Sequence, residues 1–274
     1  MVEKKRNKIL LGIIGIFSAV LFLGPFYLVL LNSIKTQKGF LLDVLGLPGK
    51  YFTLKNYVQA FLKLDFIRSS FNSLFITTTS IILIIIFTSM AAWMLVRTKT
   101  KLSMFIFLMF SSAMLIPFQA VMLPLIRVAG KFHLLNPGGI ILMYLGFQAP
   151  LSIMLYHGFV KSVPVEIEEA AIIDGCNKFE VFWRVVFPLL KPITVTVSIL
   201  NAMAIWNDFL LPQLVINKPE WQTIPLKMFY FFGQFAKRWD LGLAGLVLAM
   251  FPIIVFYLAM QKHIIKGVMQ GSIK

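Results

Sequence analysis

The sequence predicts an all-α membrane protein with six transmembrane helices and a two-helix knob on the cytoplasmic side. Two observations carry this prediction. Apolar residues make up 59% of the 274 positions and charged residues only 14%, with a mean hydropathy of +0.85, far outside the range of soluble domains. The apolar residues also fall into six uncharged runs, most of them about twenty residues long or longer, the length needed to cross a hydrocarbon core about 30 Å thick at 1.5 Å of rise per residue.

The first run, Ile9 to Leu31, follows Lys4, Lys5, Arg6 and Lys8. It is too long for the apolar core of a secretory signal and has no small-residue cleavage site before Asn32, so it reads as a retained helix. The second and third runs are Ser69 to Val96 and Leu102 to Ile126. The fourth spans Leu134 to Val160 and opens on Asn136-Pro137-Gly138-Gly139, read as a turn still in the preceding loop. The fifth, Pro192 to Asn207, is cut short by Asp208, and the sixth is Leu241 to Gln261.

Orientation follows from the basic residues nearest the first helix ends. The basic N-terminus and the Arg97-Thr98-Lys99-Thr100-Lys101 loop favour the cytoplasm, and an even number of crossings returns the tail, with Lys262, His263, Lys266 and Lys274, to that side. The opposite loops are not poor in base, since residues 32 to 68 hold Lys35, Lys38, Lys50, Lys55, Lys63 and Arg68. Three segments result: 1–68, comprising the first helix and its extracytoplasmic loop; 69–262, the main transmembrane domain; and 263–274, a cytoplasmic tail.

What the runs lack narrows the function. A net charge of +15 would suggest nucleic acid in a soluble chain, but here the base lies between membrane runs, where it anchors the protein against lipid headgroups. A single cysteine, Cys176, excludes an intrachain disulfide, and His133, His157 and His263 are too scattered for a metal site. No acid or base stands inside a run away from its ends, in contrast to the intramembrane charges of ion-coupled carriers. The polar content is neutral: Asn72 and Thr77 to Ser80 in the second run, Ser111, Ser112 and Gln119 in the third, Gln148 and Ser152 in the fourth, Ser198 and Asn201 in the fifth. Such residues serve helix packing or line a wet path for a neutral solute. Ser198 and Asn201, three apart on one helical face, are the candidates for that path. No G-x-x-x-x-G-K-[ST] loop is present, so ATP is not expected to bind this chain.

Acidic residues cluster only between the fourth and fifth runs. Pro164 suits a helix start, Glu166, Glu168 and Glu169 stand near its positive end, Ala170 and Ala171 favour helix, and Gly175 supplies a left-handed stop. Asn177 and Glu180 form a capping-box-like start to a second helix, whose Phe179, Phe182 and Val186 share a face before Pro188 ends it. Helix, glycine bend and helix make a compact knob for docking another protein. The same pattern also suits a solvated loop, or an amphipathic hairpin on the lipid surface with Trp183 as anchor.

The segment resembles the "EAA" signature of permease subunits in ATP-binding-cassette importers, E-A-A-x-x-D-G-x(12)-P-x-x-x-P, through Glu169-Ala170-Ala171, Asp174-Gly175, Pro188 and Pro192. Lys266-Gly267-Val268-Met269-Gln270-Gly271-Ser272 resembles the K-G-x-x-x-G-[AS] tail of carbohydrate importers of the maltose-transporter type, and Trp206-Asn207-Asp208-Phe209 resembles a pattern after their fifth span. Cys176 departs from the family's usual alanine but is itself small. The resemblance implies the type I importer permease fold in the carbohydrate branch, similar to the second permease of the maltose transporter. It implies a heterodimer with a second permease subunit, two cytosolic ATPase subunits that bind ATP and Mg, an extracytoplasmic solute-binding protein, and no cofactor or enzymatic activity in this subunit. Coupling to the ATPase would fall to Glu169, Ala170, Ala171, Asp174, Gly175 and Pro188. A secondary transporter or facilitator for a neutral solute is the alternative, distinguished by transport that persists without ATP.

Overall fold

The computed structural model describes residues 2–232 and 238–272, with side chains described for residues 11–229, 231, 232 and 238–258. The basic side chains of residues 4 to 8, the side chains of the tail motif at 266–272, and Lys274 altogether therefore lie outside the described residues. Helix α1 (Val2–Ser33) is followed by two short helices, α2 (Gln37–Leu42) and α3 (Lys55–Lys63). The segment expected as an extracytoplasmic loop is thus folded. Buried Asn56 donates to the carbonyls of Ser33 and Lys35 at 2.9 and 2.7 Å. The Lys35 ammonium, also buried, donates to Asp43 O at 2.8 Å, so its charge is held by main-chain oxygens.

Helix α4 (Phe66–Arg97) is one continuous span. The run expected as a single third crossing is instead two helices, α5 (Lys101–Ala113) and α6 (Phe118–Lys131), meeting at 105°. The cause is local. Pro117 has no N–H and disfavours helix at Ile116, while the Ser111 and Ser112 hydroxyls turn back to Phe107 O and Met109 O. The fourth crossing, α7 (Pro137–Val160), starts earlier than the Pro-Gly-Gly turn suggested. Asn136 is its N-cap, accepting from Gly139 N at 3.0 Å, and Pro137 occupies the first turn, where a missing N–H costs nothing.

The knob consists of α8 (Val165–Ile173) and α9 (Lys178–Leu189). Helix α9 ends at Leu189, one residue past Pro188, as the proline led one to expect, after a π-helical stretch at Val181–Val186. The wide π-turn breaks the expected face: Phe182 and Val186 are buried, whereas Phe179 is exposed. The chain then bends by 77° into α10 (Lys191–Trp206), the fifth crossing. Short helices α11 (Leu210–Val215) and α12 (Ile224–Phe229) precede α13 (Trp239–Ser272), which runs unbroken through the start of the expected tail. Among the described residues four helices are long and apolar enough to cross a membrane, and up to six crossings result if each bent pair is one span.

By contacts the chain forms two units, residues 1–67 with 227–252, and residues 68–226 with 253–274. In the first, Leu64 and Gly245 pack together, and an added methyl at Gly245 would meet Leu64, Met228 and Phe231. In the second, the core runs along α4, α7 and α10 through Ile76, Ile84, Ile140, Tyr156 and Val197. Neutral polar residues of α4 pack here also: Asn72 donates to Glu220 O and Gln222 O, and the Ser73 hydroxyl accepts from Ile224 N at 2.9 Å.

Gly139 closes the first turn of α7 against the Leu134 carbonyl, where a Cβ would collide with backbone, whereas nothing lies within 4 Å of a Cβ at Gly158 on the same helix. Gly139→Ala should destabilise the protein by about 1–3 kcal/mol, read as a lower thermal midpoint in detergent, and Gly158→Ala should leave the midpoint unchanged or raise it.

Candidate functional site

The knob is built by two terminations. Helix α8 ends in a Schellman motif: Gly175 N donates to Ile172 O and Cys176 N to Ala171 O, each at 3.0 Å. Gly175 has φ +90°, as the left-handed stop required. Ala171 and Cys176 are half-buried against the core, so the small thiol fills the apolar contact that accompanies this motif. Helix α9 starts with a reciprocal capping box, Asn177 Oδ1 accepting from Glu180 N and Glu180 Oε2 from Asn177 N, both at 3.0 Å.

Adjacent glutamates on α8 point in different directions. Glu169 is exposed along with Ala170, Asp174 and Gly175. Glu168 is 5% exposed and turns inward. Its Oε1 accepts from Arg97 Nη2 at 2.6 Å and Nε at 2.9 Å, its Oε2 accepts from Trp93 Nε1 at 2.9 Å, and Arg97 Nη2 also donates to Val163 O at 2.9 Å. Trp93 packs on Phe182 with ring centroids 5.3 Å apart. The end of α4 is therefore bound to both knob helices. Sequence reasoning missed this pair because Arg97 served as a topology marker and Glu168 as a helix-dipole charge. Helix α8 carried a signal nonetheless: its apolar Val165, Ile167, Ile172 and Ile173 are all exposed, with Ile173 at 85%. A charge faces inward while aliphatics face outward, the arrangement of a surface that meets a partner.

Farther along the same helices lies an open cavity of about 980 Å³, bordered by the α5–α6 break, the middle of α7 and the end of α10. Asp208 shapes its rim. Its Oδ1 accepts from Leu210 N at 2.9 Å, capping α11, and its Oδ2 accepts from Tyr144 Oη at 3.0 Å. Pro188 lies on α9, on the knob's way back to the membrane. Ser198 and Asn201 do not border the cavity. Ser198 Oγ bonds back to Thr194 O, and buried Asn201 donates to Ser152 Oγ at 3.1 Å and to Val197 O at 2.8 Å, tying α10 to α7. Among the described residues no group of three His, Cys, Asp or Glu is placed to hold a metal ion.

A chain of membrane-length helices, with two bent pairs around a cavity and a braced two-helix knob, suits a transport component of the membrane. Residues 84–270 match the family model described as "Binding-protein-dependent transport system inner membrane component", and the chain belongs to that family. It is a multi-pass inner-membrane transport component and not itself an enzyme. It is 45% identical, over 98% of this chain and 97% of the relative, to the "Probable starch degradation products transport system permease protein AmyC" of Thermoanaerobacterium thermosulfurigenes. It is 36% identical, over 91% of each chain, to the "Melibiose/raffinose/stachyose import permease protein MelC" of Bacillus subtilis. Its fold is similar to that of a chain in the crystal structure of a bacterial ABC transporter involved in the import of the acidic polysaccharide alginate, with a TM-score of 0.75, 23% identity, and 95% of this chain and 96% of that chain covered.

Removing one partner from a buried ion pair leaves the other charge uncompensated, typically at a cost of about 3–5 kcal/mol, discounted here because the Arg97 side chain is 21% exposed. Glu168→Leu should therefore speed hydrogen exchange of the amides of residues 163–176 while leaving the α7 amides protected. Mass spectrometry of the purified protein reads both. Unchanged exchange across 163–176 would show that the pair does not hold the knob.

Proposed function

We propose that the chain is a permease subunit of an ATP-driven importer of sugars or oligosaccharides, placed as the second permease of a maltose-type system. The observation that carries this reading is the braced knob, with Glu169, Ala170, Ala171, Asp174 and Gly175 around its bend, in a chain of this family. The sugar class is supported by the relatives' own names, which describe transport of starch degradation products and of melibiose, raffinose and stachyose. This subunit pairs with a second permease as a heterodimer. Two cytosolic ATPase subunits bind ATP and Mg and dock on the knob, and an extracytoplasmic solute-binding protein delivers the sugar. Both termini and the knob are then cytoplasmic.

The division of labour follows from the geometry. Glu168 faces inward and fastens the knob, and exposed Glu169 pairs with a basic group of the ATPase. Gly175 sets the angle between α8 and α9, Ala170 allows close approach, and Pro188 with the π-helical stretch carries the knob into α10. ATP-driven closure of the ATPase pair moves the two knobs, and the permeases alternate between access from either side. Asn201 packs α10 on α7 through Ser152, and Ser198 bonds back within α10.

The test is uptake of sugar into proteoliposomes carrying the complete transporter, with ATP, binding protein and an ion gradient supplied singly and together. Uptake should require ATP and binding protein jointly and be indifferent to the gradient. In that assay Glu169→Ala should lower uptake about tenfold, equivalent to roughly 1.4 kcal/mol. Gly175→Val places a β-branched residue at positive φ and should lower recovery of the ATPase with the permease. Normal uptake and normal ATPase recovery in both variants would remove the coupling role from the knob.

A further inference from the structure

The geometry points to a sugar-contact site inside this subunit, at the cavity where two broken helices meet, with the side-chain amides of Gln119, Gln148 and Asn207 as hydrogen-bonding groups and Phe118 and Phe147 as the apolar platform. This rests on the reading of the chain as a sugar importer's permease and adds that this subunit touches the solute.

Depth is the first argument. The Lys101 end of α5, the Val160 end of α7 and the Lys191 end of α10 all adjoin the knob or the Arg97 loop beside it. Counted from those ends at 1.5 Å per residue, the α5 break falls after about 20 Å, Gln148 stands at about 18 Å, and α10 stops after about 24 Å. In a hydrocarbon core about 30 Å thick Gln148 and the α5 break lie in the interior, and α10 stops about 6 Å short of the far face. Two interruptions of helical backbone at that depth, Met114 to Pro117 and Asn207 to Phe209, both border the cavity. Irregular backbone is tolerated inside a bilayer only where protein buries it or water reaches it, and interrupted helices near the midplane are where transporters hold solute.

The lining supplies the second argument. Gln119 is exposed at the start of α6 and Gln148 half-buried in mid-α7, and both border the cavity. No described hydrogen bond engages either amide. Asn207, also on the lining, uses its amide N–H on Met203 O at 2.8 Å, which leaves its carbonyl oxygen for a ligand. Amides without partners facing lipid tails would be costly. Facing a hydroxylated solute and its water, they are satisfied. Phe118 and Phe147 meet edge to face with centroids 5.2 Å apart on the same lining, and an aromatic face suits the C–H face of a pyranose ring, whose equatorial hydroxyls then reach the amides. None of these groups is charged, so the site selects a neutral sugar. Asp208 is already occupied by Tyr144 and the α11 amides.

The test uses the complete transporter in proteoliposomes with the native cysteine removed as Cys176→Ser. Single cysteines replace Gln119, Gln148 or, as a mid-span control on the outer surface of α4, Ile82, which is 51% exposed and does not border the cavity. Each variant is first checked for recovery with its ATPase. A water-soluble thiosulfonate reagent is then applied with and without maltotriose or raffinose, whichever the parent transporter takes up. The site predicts that Gln119→Cys and Gln148→Cys react while Ile82→Cys does not, and that the transported sugar at ten times its half-saturating level slows both reactions about tenfold. Absence of reaction at Gln148→Cys, or reaction that the sugar does not slow, would overturn the assignment. If the parent takes up neither sugar with ATP and binding protein, the importer reading fails as well. Uptake without protection would overturn the site and leave that reading standing.

Discussion

The arrangement depends on one buried ion pair, Arg97 with Glu168, closed by the Trp93 indole. A carboxylate that is 5% exposed has lost most of its contact with water, and here three N–H groups fill its oxygens instead. The same guanidinium holds Val163 O at the entrance to α8. One side chain from the end of a 32-residue helix therefore binds both the loop before the knob and the knob's first helix, and Trp93 holds the second through Phe182. A knob secured this way is tied to α4, and its outer face, with Ile173 and Glu169, is exposed.

The knob and the cavity share their helices. Helix α10 begins at the knob's bend and ends at the cavity's rim, and α7 runs from Val160 beside the knob to Gln148 on the lining. The hydrogen bonds between Tyr156 and Thr194, and between Asn201 and Ser152, lock these two helices along the way. Displacing the knob therefore shifts the cavity wall as well. The π-helical stretch at Val181–Val186 and the bend after it form the one irregular join on the α10 route, and irregular helical turns of this kind recur at functional sites.

Much of this was legible in the sequence. Apolar runs of membrane length are a strong signal, and Gly175, Asn177 and Glu180 each have few backbone roles open to them, so the bend and the capping box followed from residue type. The break at Pro117 was also written there, but a hydropathy window sums over a proline and returned one span where there are two helices. Pro188 marked the end of α9 to within one residue, but the π-helical stretch before it follows no simple pattern. Ser198 and Asn201 were read by polarity alone, and neither borders the cavity. Asn201 faces Ser152 of the same subunit, a pairing 49 residues apart that no local pattern reveals. Glu168 and Arg97 stayed hidden for the same reason, being 71 residues apart.

The central claim is that the knob is a fixed part of the subunit and not an independent hinge. The direct measurement is the distance between spin labels at Lys99, beside the end of α4, and Ile173, at the knob's tip, in the assembled transporter without nucleotide and with ATP trapped. The account predicts one narrow distance distribution, the same in both states, that broadens when Glu168 is replaced by leucine. A distribution that shifts on ATP binding in the unaltered protein would show the knob swinging on its own and would contradict the account.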